Sequence, residues 1–184
     1  MLIRIIIGSL IVINCFLSGQ LRVGFDTSGE FKMAYDGDSE TYDAESGIVI
    51  GYDVVAQDQD GLKFGVGGEY MIGRGIEEIG EGTASFHSVY GFGKYSLNDK
   101  AYGFGRVGYN LHTGDDDYVS DDVELEGGMM YAFGGGFSMT PKISIEGLFA
   151  NHSGKAIINL GSGYDDATFK LTYTRISVGL VYTL

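Results

Sequence analysis

Histidine and serine stand side by side at two places in the chain, and these two residue types together can perform acyl transfer. A histidine activates a serine hydroxyl when the two side chains lie within hydrogen-bonding distance. Along one β-strand only residues i and i+2 share a face, whereas His87-Ser88 and His152-Ser153 are adjacent pairs. His112 has a glycine two positions later. The spacing therefore predicts no catalytic residue, unless a bulge repositions His152 at the edge of a predicted loop.

Charged residues recur on the less apolar face of several alternating segments. Five of them are candidates for an enclosed interior: Asp53, Glu69, Arg106, Glu146 and Arg175. Buried charges must find partners. We interpret these residues as a paired polar network that holds the strands together, and the alternative is a gated narrow pore or proton path.

Acidic residues are concentrated in two of the longer connections. The first contains Asp36, Asp38, Glu40, Asp43 and Glu45, and the other contains Asp115, Asp116, Asp117, Asp121, Asp122 and Glu124. Oxygen-rich loops can bind calcium, but the spacing matches no EF-hand. We interpret them as solvated loops that attract divalent cations weakly, and we predict no metal site and no cofactor.

The composition narrows the class of protein. A net charge of −13 argues against nucleic-acid binding, which relies on lysine and arginine. The chain has 31 glycines, 13 tyrosines and 11 phenylalanines but one proline, which favours closely packed strands. Its single cysteine, Cys15, lies in an N-terminal segment that we expect to be removed.

The first residues have the three-part pattern of a secretory signal peptide. Arg4 provides the positive charge, residues 5–13 form the apolar centre, and the small residues Ser18 and Gly19 follow. The apolar centre is too short to span a membrane as a helix. We therefore assign residues 1–19 to a signal peptide and residues 20–184 to one domain, and the alternative is a buried N-terminal strand.

Apolar residues alternate with small or polar residues in eight segments, which predicts eight β-strands. The segments are 21–35, 47–56, 62–72, 85–97, 101–112, 125–139, 143–150 and 168–184. The connections after the odd-numbered segments, 36–46, 73–84, 113–124 and 151–167, are long, and the others are short. Outer-membrane barrels alternate in this way between short periplasmic turns and longer extracellular loops.

The alternation also predicts which side chains face outward. We expect Phe31 and Met33 in the first segment and Leu125 in the sixth to do so. In segments four and five either face could be outside. We expect Val89, Tyr95, Val107 and Tyr109 outside, because the reverse choice would send Lys94 and Arg106 into lipid. In the last segment the alternation slips near Tyr173, which a bulge or an extended part above the membrane would explain.

An eight-stranded soluble barrel of the lipocalin type would share the strand count but would keep its apolar side inside. Three features favour the membrane alternative. Aromatic residues lie near strand ends, where interfacial girdles belong, and glycine and charge dominate the opposite face. The chain also finishes on an uncovered apolar strand, which a closed barrel would protect. We predict an all-β, eight-stranded antiparallel up-and-down transmembrane β-barrel.

Two segments resemble the glycine-aromatic hairpins of the small outer-membrane β-barrels of the OmpA, OmpX and OmpW types, residues 90–109 and 132–146. The ending is similar to the assembly signal of that family in four residues, Ser177, Gly179, Tyr182 and Leu184, although the family most often ends in phenylalanine. The resemblance implies a monomer in the outer membrane of a Gram-negative cell. It also implies three partners: outer-membrane lipid, lipopolysaccharide and the insertion machinery.

The resemblance leaves three functions open. We favour a structural or surface-interacting barrel without catalysis, because an eight-stranded barrel is just wide enough for its own side chains. The second is a narrow porin-like channel for small or hydrophobic solutes. The third, a lipid A-modifying enzyme, lacks the required histidine-serine spacing.

Replacing Tyr182 or Leu184 with a charged residue should reduce the amount of protein in the outer membrane while leaving secretion intact. A charge on this face would weaken both recognition by the insertion machinery and contact with lipid. Fractionation of cell envelopes measures the effect. Undiminished outer-membrane levels would contradict the proposed role of the ending.

Overall fold

The chain is built from strands and turns throughout the residues that the computed structural model describes, 19–76, 82–114, 123–160 and 166–184. The strands are β1 (Gly19–Tyr35), β2 (Asp38–Ala44), β3 (Gly47–Gln59), β4 (Leu62–Met71), β5 (Arg74–Gly75), β6 (Thr83–Ser96), β7 (Ala101–Gly114), β8 (Val123–Glu126), β9 (Gly128–Ser138), β10 (Ile143–Ile158) and β11 (Ala167–Thr183). Within the described ranges no helix is long and apolar enough to cross a lipid bilayer. Nearly all of the predicted signal peptide lies outside these ranges.

Eight of the strands form a closed antiparallel ring. The order is β1, β3, β4, β6, β7, β9, β10 and β11, and β11 pairs with both β10 and β1. The last strand therefore seals the barrel against the first, with Leu180 opposite Val23. Closure removes both sheet edges. The predicted eight-stranded antiparallel barrel is confirmed.

Short turns connect the strands at one end of the barrel, which we call the short-turn end. Between β3 and β4, Asp60 and Gly61 have φ values of 53° and 80°. This geometry fits the tight hairpin predicted from the Asp-Gly pair. Residues 97–100 and 139–142 form the other two turns, and Leu184 N–H donates to the carbonyl of Gly19 at the same end (3.1 Å).

At the opposite end, the predicted loops contain strand residues, and two of the loops contain long stretches of regular strand. Within residues 36–46, β2 folds back on β1 over the turn Asp36-Gly37. Within residues 151–167, β10 continues to Ile158 and pairs there with β8 and β11. Polar composition suggested loops, but these residues satisfy their backbone groups by pairing. The strands thus extend beyond the apolar belt of the barrel.

That belt consists of large apolar side chains on the outer surface, including Val66, Val89, Val107, Phe133 and Leu180. Val89 is 67% exposed and Tyr95 is 56% exposed, and Val107 and Tyr109 also lie outside, as predicted. Lys94 and Arg106 point inward and are buried. Apolar side chains on this scale need a lipid environment.

Three predicted orientations are wrong, and each error has a local cause. A register shift between Asp26 and Ser28 reverses the alternation of β1, because one extra residue exchanges the two faces. Phe31 is therefore fully buried, and Met33 packs against the same interior cluster. Leu125 also packs inward, since Gly127 separates β8 from β9.

The slip predicted near Tyr173 in the last strand does not occur as a bulge. The β11 pairing with β10 runs without a register shift. Leu171 and Tyr173 face the interior, like Arg175 and Ser177 further along the strand. The sequence changes character there because the interior changes from apolar to charged.

The interior contains two apolar clusters. The upper cluster, towards the long connections, comprises Phe31, Val49, Met71, Ile76, Ala84, Phe86, Leu171 and Tyr173. The lower cluster comprises Tyr90, Phe92, Tyr102, Phe104, Met130, Ala132, Leu148 and Ala150. Cations lie on aromatic rings of the lower cluster, with Lys94 Nζ 4.3 Å from the Tyr102 centroid and Arg106 Cζ 4.4 Å from that of Phe104. These contacts are cation–π interactions.

Gly134→Ala should destabilise the barrel by roughly 1–3 kcal/mol, because overpacking forces its surroundings to move. A Cβ at Gly134 would lie 2.2 Å from the Gly147 carbonyl oxygen, whereas a Cβ at Gly147 meets nothing within 4 Å. Gly147→Ala is therefore the matched control and should change stability by less than about 0.5 kcal/mol. Urea unfolding of the refolded protein in micelles measures both. Equal midpoints for the two variants would contradict this packing.

Candidate functional site: the charged interior

In the described part of the chain, nine charged side chains are buried inside the barrel: Arg22, Asp26, Asp53, Glu69, Arg74, Lys94, Arg106, Glu146 and Arg175. The five candidates from the sequence are all among them. Arg22 and Asp26 lie in the first alternating segment, residues 21–35, but they were not among these candidates, and neither was Arg74. Arg74 lies in β5 within a predicted loop, so no alternation marked it.

Arg175 occupies the centre of the network and binds carboxylates from two strands that are not neighbours. Its Nη1 lies 2.7 Å from Asp26 Oδ1, and its Nη2 lies 2.5 Å from Glu69 Oε1. Ser177 Oγ accepts from Arg175 at 3.0 Å and donates to Asp26 at 2.5 Å. Arg74 Nη2 binds the other oxygen of Asp26 at 2.8 Å. Charge-assisted bonds of this length are strong.

Arg22 forms the second centre. Its Nη1 lies 3.0 Å from Asp53, and its Nη2 lies 3.1 Å from Glu69. Arg22 Nη2 also donates to the Tyr90 hydroxyl at 2.7 Å, and this hydroxyl donates to Asp53 at 2.7 Å. The guanidinium lies over Gly51, where a Cβ would come within 2.4 Å of Nη2. Gly51 is the residue paired with Arg22 on the adjacent strand β3, and its lack of a side chain makes room for the arginine.

Glu146 gathers the groups nearer the short-turn end. It accepts from Lys94 Nζ at 3.0 Å, Arg106 Nη2 at 2.9 Å and the Tyr102 hydroxyl at 3.1 Å. Arg106 Nη2 also lies 3.8 Å from Asp53 Oδ2. This last contact joins the Glu146 group to the Arg22 group, so that all nine charges belong to one network.

The network fills the space that it encloses. The cavity between Arg22, Glu69, Glu146, Leu148 and Arg175 measures about 10 Å³. A cavity needs roughly 10–15 Å³ to hold a single water molecule. This cavity therefore has room for about one water molecule and not for a chain of water molecules.

The interior also brings Ser88 and His152 together. Their side chains come from β6 and β10, and Ser88 Oγ lies 3.3 Å from His152 Nδ1. Sequence analysis missed this pair because the residues are far apart in the chain. It also placed His152 at a loop edge, whereas His152 lies inside β10 and is fully buried.

Arg175 determines how this histidine bonds to the serine. Arg175 Nε, which can only donate, points at His152 Nε2 at 3.4 Å, so Nε2 is the acceptor. A neutral imidazole then carries its proton on Nδ1 and donates it to Ser88. In this arrangement the histidine is not positioned to take a proton from Ser88.

Three residues of the predicted assembly signal lie in β11, and Leu184 follows its last residue. Ser177 and Gly179 face inward, and Tyr182 and Leu184 lie on the outer surface. Ser177 belongs to the charged network through Arg175 and Asp26. The role of all four residues in assembly stays a prediction.

Among the described residues, no three or more His, Cys, Asp or Glu side chains converge on a point where a metal ion could bind. The acidic cluster at Asp115–Asp117, Asp121 and Asp122 lies outside the described ranges.

Arg175→Met should lower the free energy of unfolding by about 3–5 kcal/mol, because it leaves Asp26 and Glu69 buried without their shared cation. Lys155→Met is the control: it removes the exposed Lys155–Glu126 pair (3.3 Å), and such pairs contribute about 0–1 kcal/mol. Urea unfolding of the refolded variants measures the free energy of unfolding of both. A loss for Arg175→Met as small as the control's would show that the interior pairs do not stabilise the barrel.

No known protein-family model matches the sequence, and no curated protein matches it. Solved structures do match. Neisserial surface protein A aligns with a TM-score of 0.54 at 10% identity, covering 90% of this chain and 97% of its own. The outer membrane protein OprG from Pseudomonas aeruginosa aligns with a TM-score of 0.51 at 13% identity, and the alignment covers 91% of this chain and 98% of OprG. The outer membrane protein AlkL aligns with a TM-score of 0.52 at 10% identity, and the alignment covers 91% of this chain and 90% of AlkL. The chain therefore has the fold of the small outer-membrane β-barrels.

Proposed function

We propose that this protein is a non-conducting barrel of the outer membrane with a structural or surface-interaction role and no catalysis. The observation that carries the proposal is the paired charge network, which leaves a cavity of only about 10 Å³ across the interior. The shared fold with outer-membrane proteins and the apolar belt support the location. Export through a cleaved signal peptide, residues 1–19, is part of the proposal.

The partners follow from the surfaces. Outer-membrane lipid and lipopolysaccharide contact the apolar belt, and the insertion machinery binds the last strand during assembly. The hairpin of β1 and β2 presents Asp38, Glu40 and Asp43 beyond the belt. This acidic rim suits a cationic surface partner and weak binding of divalent cations. The protein acts as a monomer.

The arrangement around Ser88 supports the absence of lipid A modification. The Ser88 hydroxyl accepts a hydrogen bond from His152 Nδ1–H, so the imidazole is not positioned to remove the hydroxyl proton, and both residues are buried.

One observation favours a second function, the sideways release of hydrophobic solutes. Pairing between β4 and β6 stops at Glu69 and Ser88 and resumes only at Arg74 and Ala84, through β5. Across this interruption His87 Nδ1 accepts from the Met71 N–H at 3.3 Å. A groove of about 450 Å³ lies outside the interruption, and the upper interior is apolar. A solute that entered from the end with the long connections would meet an interrupted part of the wall here.

Planar-bilayer recording of the refolded protein separates the closed barrel from a channel. We expect no discrete conductance steps, because the cavity within the network has room for only about one water molecule. Steps that appear in proportion to the protein added would contradict the proposal.

Transfer of a hydrophobic fluorescent probe into proteoliposomes tests the second function. His87→Ala removes the bond across the wall interruption and should accelerate transfer if this route exists. Val107→Ala, which truncates an outward side chain on the neighbouring strand β7 that does not line the groove, is the control and should leave transfer unchanged. Transfer rates equal to those of protein-free liposomes in all samples would exclude this route.

A further inference from the structure

The charges inside the barrel do not balance. Five cations face four carboxylates among the nine buried charges. Arg74, Arg175 and Arg22 lie with Asp26, Glu69 and Asp53, one cation for each carboxylate. Lys94 and Arg106 instead share Glu146. The excess positive charge therefore lies at the short-turn end of the network.

Arg106 also has an unused donor. Its Nη2 binds Glu146 and lies 3.8 Å from Asp53, but its buried Nη1 has no hydrogen-bond partner among the described residues. A buried cation with an unsatisfied donor costs free energy. Arg106 does not line the cavity beside this part of the network, whereas Lys94 does, so an anion in that cavity would offset the excess positive charge through Lys94.

A cavity adjoins this excess charge. It measures about 550 Å³ and opens between the short turns, a volume typical of small-ligand sites. We call it the short-turn vestibule. Its floor is formed by Lys94 and Tyr102, and its wall carries the hydroxyl groups of Ser96, Ser138, Thr140, Ser144 and Thr183.

The rim of the vestibule adds charges of both signs. Lys63 and Lys100 line it together with Asp99, and Lys63 is paired with Asp58 at 2.8 Å. Lys94 itself already binds Glu146 and the Gln20 side-chain oxygen at 3.2 Å. Lys94 on the floor therefore supplies most of the positive potential of the vestibule, and Lys100 on the rim adds to it.

We propose that the short-turn vestibule binds an anionic group, a phosphate or a carboxylate carried by a small molecule on that side of the membrane. Lys94 supplies the charge, and the ring of hydroxyl groups supplies neutral donors that suit anion oxygens. The site contrasts with a chain whose net charge is −13. Anion binding at this vestibule is independent of the proposed function, because a closed barrel and a conducting one would both present the vestibule.

Backbone amide NMR of the ¹⁵N-labelled protein in micelles tests the proposal, with inorganic phosphate and acetate added separately at constant ionic strength. We expect saturable shifts at Ser96, Lys100, Ser144 and Thr183 with at least one anion, and no shifts around Lys155 at the opposite end. Stronger binding of phosphate would identify a phosphoryl ligand, and stronger binding of acetate a carboxylate ligand. No saturable shift with either anion would overturn the proposal.

Three variants locate the site. Lys94→Met should weaken binding about tenfold or more, since a tenfold loss is about 1.4 kcal/mol and charge-assisted bonds exceed that. Lys100→Gln, on the exposed rim, should weaken it severalfold without affecting folding. Lys155→Gln removes the same charge at the other end and should leave binding unchanged. If Lys94→Met fails to fold, Lys100→Gln decides. Unchanged affinity in Lys100→Gln, or an equal loss in Lys155→Gln, would overturn the proposal.

Discussion

The carboxylate of Glu69 is held by two guanidinium groups, Arg175 at 2.5 Å and Arg22 at 3.1 Å, and the rest of the interior depends on this contact. It connects β4 to β11 and β1, and through Asp53 to β3. An eight-stranded barrel leaves just enough room for its own side chains. Buried charges in that space must be paired or they destabilise the fold. The same pairs that hold the strands together therefore also close the lumen.

The closed interior explains the distribution of residue types along the strands. Apolar side chains that would form the core of a soluble protein cover the outside here, as Val89 and Phe133 do. Inside, apolar and aromatic residues fill the layer above the charged network, as in the upper cluster around Phe31 and Phe86. The last strand shows both environments, since Tyr173 packs in the apolar layer and Arg175 in the charged one.

Strict period-two alternation made the eight strands predictable, because each strand has one face in lipid and one in the lumen. The same rule identified Asp53, Glu69, Arg106, Glu146 and Arg175 as interior residues. It failed at Phe31, because the bulge between Asp26 and Ser28 leaves no clear mark in composition. It also failed for β2 and the upper part of β10, where pairing depends on a neighbouring strand. Ser88 and His152 meet only through the closed ring, so no local pattern could reveal them.

The central claim is that the interior network excludes water, and thiol labelling of the centre of the lumen tests it most directly. Ser177 is buried beside Arg175 and Asp26, and Thr183 lines the open short-turn vestibule on the same strand. We predict that a small charged thiol reagent modifies Thr183→Cys rapidly and leaves Ser177→Cys unmodified until the barrel is unfolded. Equal labelling rates for the two folded variants would contradict a closed lumen.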